Sequence, residues 1–406
     1  MSRIVQLIET LCPDGVPFLP LSEIGSLTRG KRFVKADAVK EGIPCIHYGE
    51  LYTHYGISTV QTKSFVRKEL ASKLRYASKN DVIIVGAGEN DIDIGVGVAY
   101  LGEAEVAVHD ACYILKHSMN PKYISYFLRT TDYHNQIKKY VSSGKICAIS
   151  ANGICKALIP VPPLPIQEEI VRILDSFTEL EAELEAELEA RKKQYEHYRD
   201  TLLDQAQGCR MPLGDCCDFV RGPFGGSLKK EIFVSKGYAV YEQQHAIHEK
   251  YEFRYFITEE KFKSLKRFAV NPGELIMSCS GTMGKVSIVP ENAPMGVINQ
   301  ALLKLTPKPT MLAKYLKYYF ESAIAKLMND QAKGGAIKNV SSVSDLKAIE
   351  IAVPIIDEQR RIVDILDRFN ALCNDISEGL PAEIEARRKQ YEYYRDKLLT
   401  FKELEA

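Results

Sequence analysis

No stretch of the 406-residue chain approaches the ~18 uninterrupted apolar residues that span a bilayer, so no membrane association is expected. The start, Met1 to Gly15, has one basic residue and no long apolar run, which argues against a secretory leader. The ten cysteines contain no C-x-x-C; Cys216 and Cys217 are adjacent and the others are scattered. That is the usage of a reduced cytosol, not of a disulfide framework or a zinc site, and it predicts a cytoplasmic protein. Catalytic signatures are missing too. Gly144-Lys145 and Gly284-Lys285 lack the upstream glycine spacing and the following hydroxyl of a phosphate-binding loop. Gly86-Ala87-Gly88 and Gly95-Val96-Gly97 follow an apolar strand, but no third glycine opens a helix after them, so they read as turn glycines. There is no Asp/Asn-Pro-Pro-aromatic tetrapeptide of the kind amino-methyltransferases use, and no G-x-S-x-G elbow. His245 and His248 could share one face of a helical turn, yet no carboxylate or cysteine pattern completes a metal set. The expectation is a chain with no catalytic residues, no cofactor and no metal.

Net charge is also absent, but only on average. Residues 158–206 hold five basic and twelve acidic residues, and residues 350–406 hold nine and thirteen. The remaining segments are basic: nineteen against fifteen over residues 1–157, and twenty against thirteen over residues 207–349. Each of these can face a polyanion while the acidic segments stay solvated.

What the chain does have is a repeat. Ile159–Phe177 (IPVPPLPIQEEIVRILDSF) matches Ile351–Phe369 (IAVPIIDEQRRIVDILDRF) at an offset of 192. Ala190–Leu203 (ARKKQYEHYRDTLL) matches Ala386–Leu399 (ARRKQYEYYRDKLL) at an offset of 196, and Leu21–Gly30 aligns with Leu213–Gly222. The period is that of a domain, not of a solenoid unit. Four parts are expected: a globule over 1–157, a helical region over 158–208, a second globule over 209–349 and a second helical region over 350–406.

Pro160, Pro162, Pro163 and Pro165 bar a helix before Ile166. From there apolar residues recur every three or four positions to Leu202, the seam of a helix that packs on another helix. Within it, Glu179–Ala190 is three tandem copies of Glu-Leu-Glu-Ala, with Leu180, Leu184 and Leu188 on the seam. Four residues advance a helix ~6 Å and turn it ~400°, so one copy adds ~40° of rotation. A base pair turns by about 34–36°, which suits a spacer adjuster between two DNA-reading globules. In the second copy Ser377, Gly379 and Pro381 break the pattern, predicting helices over 362–374 and 382–399. An antiparallel pair, one helix from each repeat, would relate the globules by a pseudo-twofold.

Each globule is expected to be an α+β domain with a twisted, mostly antiparallel sheet, opened by a strand and Arg-Gly (Arg29-Gly30, Arg221-Gly222) and closed by an aromatic helix, 121–140 and 310–328. Between strands lie loops with Arg29, Lys31, Arg32, Lys145, Arg221, Lys229, Lys230, Gln243, Gln244, Thr282, Lys285, Lys338 and Asn339. Lys and Arg suit phosphate contacts, Arg also suits guanine, and Asn or Gln suits adenine.

The two helical motifs and the tandem tetrapeptide resemble the specificity subunits of type I restriction-modification enzymes, over essentially the whole chain. The resemblance implies two target-recognition domains, each reading one half of a bipartite site in double-stranded DNA. It also implies helices that fix their separation and dock two adenine-methylating modification subunits, with a restriction/motor subunit joining for cleavage. The break at Gly379 to Pro381 departs from strict symmetry. Two other classes compete: a DNA methyltransferase with a built-in recognition domain, which would need the motifs missing here, and a coiled-coil scaffold whose globules bind protein.

Overall fold

The structure is a computed structural model that describes residues 3–142, 144–279, 284–332, 343–374 and 379–405. It forms two compact units: Met1–Glu185 with Glu383–Ala406, and Ala186–Ala382.

In the first unit an amphipathic helix α1 (Arg3–Leu11) buries Ile4 and rests Leu7 and Ile8 on the core. In chain order follow β1 (Phe18–Pro20), β2 (Gly25–Arg29), β3 (Ile43–Ile46), α2 (Glu50–Thr53), β4 (Val82–Val85), β5 (Gly97–Tyr100), β6 (Val106–Val108) and β7 (Cys112–His117). After them come α3 (Pro121–Phe127), α4 (Thr131–Ile137), β8 (Val141–Ser142), β9 (Cys147–Ile149), β10 (Leu158–Pro160) and the 41-residue α5 (Leu164–Asp204). One sheet has the order β2-β7-β4-β5 and ends on Ser58–Thr59; a second holds β3 beside β6. The run Val82–Val85 is buried on both faces, which is why it reads as unbroken aliphatic residues rather than an alternation.

The second unit repeats this with β11 (Cys209–Pro212), β12 (Cys217–Arg221), β13 (Tyr238–Tyr241), α6 (Gln243–His248), β14 (Leu275–Ser278), β15 (Val286–Ile288), β16 (Gly296–Ile298) and β17 (Leu302–Pro307). Helix α7 (Ala313–Ala332), β18 (Glu350–Val353) and α8 (Ile356–Asn374) complete it. The order β12-β17-β14-β15 mirrors the first unit, and β11·β18 mirrors β1·β10. Pairing is mostly antiparallel, as expected; β3·β6, β13·β16 and the β5 edge are parallel.

The helices follow the sequence with local differences. Helix α5 begins at Leu164, two residues before the expected start, because Pro165 sits in its first turn, where no intrahelical N–H is missed. The expected single helix over 121–140 is two helices: Thr130 accepts the Tyr133 N–H through its hydroxyl at 3.2 Å and so caps a new start. The expected helix over 310–328 runs over Ala313–Ala332. Helix α8 ends at Asn374 and α9 (Leu380–Leu398) begins at Leu380, the expected interruption, with 375–378 outside the described residues.

Within the first unit the opening half of α5 pairs with α9. Phe177 stacks on Tyr394 at 5.5 Å and Arg388 reaches Glu181 at 2.5 Å, a falling-against-rising order that makes the pair antiparallel. Within the second unit the closing half of α5 lies along α8, with Tyr198 against Phe369 at 5.8 Å.

A duplicated latch joins each globule to its helix. Gln167, 2% exposed, accepts the Asn120 N–H at 2.9 Å and donates to the Pro162 carbonyl at 2.7 Å. Gln359, fully buried, accepts the Leu312 N–H at 2.9 Å and donates to the Thr310 and Pro354 carbonyls at 2.8 and 2.9 Å. Tyr123 donates to the Pro160 carbonyl, and Tyr315 to that of Ala352, both at 3.0 Å. Tyr126 and Lys122 meet Asp175 at 2.7 and 2.6 Å; Tyr318 and Lys314 meet Asp367, both at 2.6 Å. Losing a buried glutamine strands a backbone donor and acceptor, at ~1–3 kcal/mol per group. Gln167→Leu and Gln359→Leu should each lower stability by about 2–4 kcal/mol in urea titration. Exposed Lys193→Ala should stay within about 0.5 kcal/mol. Equal midpoints for all three variants would show the latch to be dispensable.

Candidate nucleic-acid interface

In the first unit several strands end together. Arg29, the last residue of β2, pairs with Tyr113 near the start of β7, and Val85 at the end of β4 pairs with Cys112. The parallel β3 and β6 end side by side at Ile46 and Val108. Backbone bonds stitch the emerging loops: Gly30 N–H to Cys112 at 2.9 Å, Lys31 N–H to Val108 at 2.9 Å, His109 N–H to Ile46 at 3.2 Å, and Gly86 N–H to Ala111 at 2.8 Å. The glycine of Arg-Gly is required by this packing, since a Cβ on Gly30 would collide with the His109 carbonyl and one on Gly222 with that of Asn299.

Arg29 Nε donates to the Asp110 carbonyl at 2.6 Å, and Arg75 donates to the Arg29 carbonyl, so the exposed Arg29 is held at its root. Lys31 and Arg32 are exposed beside it. A cleft of about 400 Å3 runs between Arg29, Asp110, Tyr113, Tyr140, Ser142 and Ser150. Its far wall is the β8–β9 hairpin, which carries exposed Lys145 and is tied in by the Ile149 N–H to the Gly86 carbonyl at 2.9 Å. Rings of His47 and His109 lie 4.4 Å apart, and burial pushes both imidazoles below the usual range, so they are neutral near pH 7.

The second unit repeats the stitching. Arg221 pairs with Leu303, Gly222 N–H donates to Leu302 at 3.0 Å, Asn299 N–H to Tyr241 at 3.0 Å and Cys279 N–H to Ala301 at 2.8 Å. Exposed Arg221 therefore stands where Arg29 stands, with Gln243 and Gln244 opening α6 directly after β13. Lys285, just before β15, donates its N–H to Ser278 Oγ at 3.0 Å. Lys229 and Lys230 are exposed on the excursion after β12, anchored by Leu228, Ile232 and Phe233 rather than by the stitched turns. Phe224 on that excursion is 92% exposed. Thr282, Lys338 and Asn339 lie outside the described residues. His245 is buried, between the Glu242 N–H at 2.8 Å and the Glu252 carbonyl at 2.9 Å. Sequence reasoning passed over the second stitched turn, His109-Asp110 and Asn299-Gln300; aligning β7 with β17 would have exposed it.

On the helix, Leu180 is 36% exposed and Leu184 and Leu188 are half-buried, so the tandem stretch is the least covered part of α5. Arg388 bridges Glu181 and Glu185, the third residues of two successive tetrapeptides.

Residues 13–190 and 213–386 match the Type I restriction modification DNA specificity domain. The chain belongs to this family. It is 37% identical over 250 residues to the specificity subunit of the type I restriction enzyme EcoR124I/EcoR124II of Escherichia coli, covering 60% of this chain and 61% of that relative's length. Its fold is similar to a chain solved in work on assembly and conformational transition of the type I R-M system. There the TM-score is 0.71 at 16% identity, covering 96% of this chain and 98% of that one. It is also similar to the HsdS subunit of Thermoanaerobacter tengcongensis, with a TM-score of 0.54 at 16% identity, covering 96% of this chain and 97% of that one.

For a specificity-domain protein, phosphate contact by the two arginines has a clear readout. Arg221→Ala should weaken duplex binding about equally for all sequences and reduce the salt slope by roughly 1. Arg29→Ala should do the same and Arg29→Lys should restore much of the slope. A loss confined to one base position would make either arginine a base reader, and no loss would return it to ordinary surface.

Proposed function

We propose that the chain is the DNA-reading subunit of a type I restriction-modification complex, working in the cytoplasm. Each unit reads one half of a bipartite duplex site, and the helices set the number of unread base pairs between the halves. The observation that carries this is the duplicated stitched end, with Arg-Gly at the same place in both units and different side chains around it. The basic surplus of residues 1–157 and 207–349 supports a polyanionic target. The relative's name, a type I restriction enzyme specificity subunit, supports a place in such an enzyme. The helices would dock two modification subunits, with a restriction/motor subunit joining for cleavage, as the resemblance of the helical motifs implies. In this reading the chain is not itself catalytic, and the adenine methyl transfer belongs to its partners. No described helix is long and apolar enough to cross a membrane.

Exchange of residues 20–157 for the matching region of a relative should alter one half of the methylated motif read from host DNA and leave the other half intact. A change in both halves would refute independent reading.

Deletion of one Glu-Leu-Glu-Ala copy should keep both half-site sequences and shorten the gap by about one base pair. The helix loses ~6 Å and ~40°, close to the rotation of one base-pair step. Leu180, Leu184 and Leu188 are interchangeable in register, and Arg388 meets the same carboxylate pattern one turn along. The rise mismatch, ~6 Å against ~3.4 Å, falls on DNA bending or tilt. Methylation at the original spacing alone would make the stretch filler.

A further inference from the structure

The two units build the same pair of turns with different residues. After β3, the His47 N–H donates to the Glu50 carboxylate at 3.0 Å; after β13, the Glu242 N–H donates to His245 Nδ1 at 2.8 Å. After β6, the Ala111 N–H donates to His109 Nδ1 at 3.1 Å; after β16, the Ala301 N–H donates to Asn299 Oδ1 at 3.0 Å. Glu50 and His245 do one job, and His109 and Asn299 do another. These four side chains fix the turns, so the shape is common while the display differs. The first unit shows His47, Tyr48 and Asp110; the second shows Gln243, Gln244 and Gln300.

Groups that are identical at equivalent positions cannot tell one half-site from another, and Arg29 and Arg221 are identical. Groups that differ on a common frame can. In the second unit Glu242 is paired with Arg254 at 2.9 Å and accepts from Gln244 Nε2 at 3.5 Å, so its charge is compensated and the Gln244 carboxamide is oriented on the turn. A carboxamide presents a donor and an acceptor side by side, the complement of adenine N7 and N6 in the major groove. The two corresponding turns of the first unit, 47–50 and 109–111, carry no carboxamide. The His47 ring lies 4.5 Å from Tyr48 and 4.4 Å from His109, which in turn packs edge-on against buried Phe33 at 4.9 Å. A reading group held this way loses little freedom on binding.

We infer that each unit reads bases through this pair of turns, the second through the amides of Gln243, Gln244 and Gln300 on an adenine edge and the first through His47 and Tyr48, with Arg29 and Arg221 on phosphate. This rests on the DNA-reading proposal above. The test is selection from a randomised duplex library by the full chain co-expressed with the modification subunits of its host. Gln300→Ala, and Gln243→Ala with Gln244→Ala, should relax one or two adjacent positions of one half-site. The expected loss is roughly tenfold or more in discrimination, with the other half and the spacing unchanged. His47→Ala should relax the opposite half only. Replacing the adenine at the relaxed position by 7-deazaadenine, which removes N7 and keeps N6, should weaken wild-type selection there by part of that factor and cost the Gln variant nothing further. Unfolding midpoints equal to the wild type would exclude misfolding, and exposed Gln300→Ala provides the mildest variant. An unchanged motif, a uniform loss across sequences, or a relaxed position that holds no adenine would overturn the inference while leaving DNA reading intact. A wild type that selects no motif would overturn both.

Discussion

The burial of one glutamine at the base of each rod helix constrains everything around it. Gln167 and Gln359 stand where a helix starts under a globule, and each joins the loop that leads into α3 or α7 to the proline carbonyl just before its own helix. These bonds tie the loop to the helix start and to the residues before it, so the three keep one geometry. The tyrosine–carboxylate contacts at Asp175 and Asp367 add a second fixed point about two turns along the same helices. Two points define a direction, so each globule is rigidly aimed by the helix segment inside its own unit. The proposed spacer role needs such a joint, because a compliant one would dissipate any rotation before it reached the turns proposed to read bases.

The stitched ends follow from the same economy of backbone bonding. Short strands from two sheets terminate at one level, and their outgoing N–H groups are satisfied by carbonyls of the neighbouring turn rather than by solvent. Loops bound in this way hold shape while their side chains vary. Glu50 and His245 are chemically unrelated yet cap the same N–H, as His109 and Asn299 do on the adjacent turn.

Much of this was written in the sequence, and the limits are physical. The repeat, the long helix, the interruption before Pro381 and the Arg-Gly pairs are local signals: proline, heptad-like spacing and a glycine with no room for a Cβ. The split of residues 121–140 was not legible, because Thr130 caps only once Phe127 and Tyr133 are packed in the core. The parallel neighbours β3·β6 and β13·β16 are non-local, and short buried strands carry no mark of direction. Candidate contact residues were legible as types in loops. Which of them share one surface was not, since Arg29 meets Asp110 across eighty-one positions of sequence.

The first unit is assembled from both ends of the chain, and this sets a timetable for synthesis. Residues up to Glu185 leave the ribosome with Ile170 and Leu174 prepared for a core that also takes Tyr391, Leu398 and Leu399. Roughly 200 residues separate the two contributions, which at about 5–20 residues per second is on the order of 10–40 s. The second unit is continuous in sequence, so all of it is made between the two contributions to the first. Until residues 383–405 are made, the Ile170 and Leu174 face of that helix lacks the contacts that Tyr391, Leu398 and Leu399 supply.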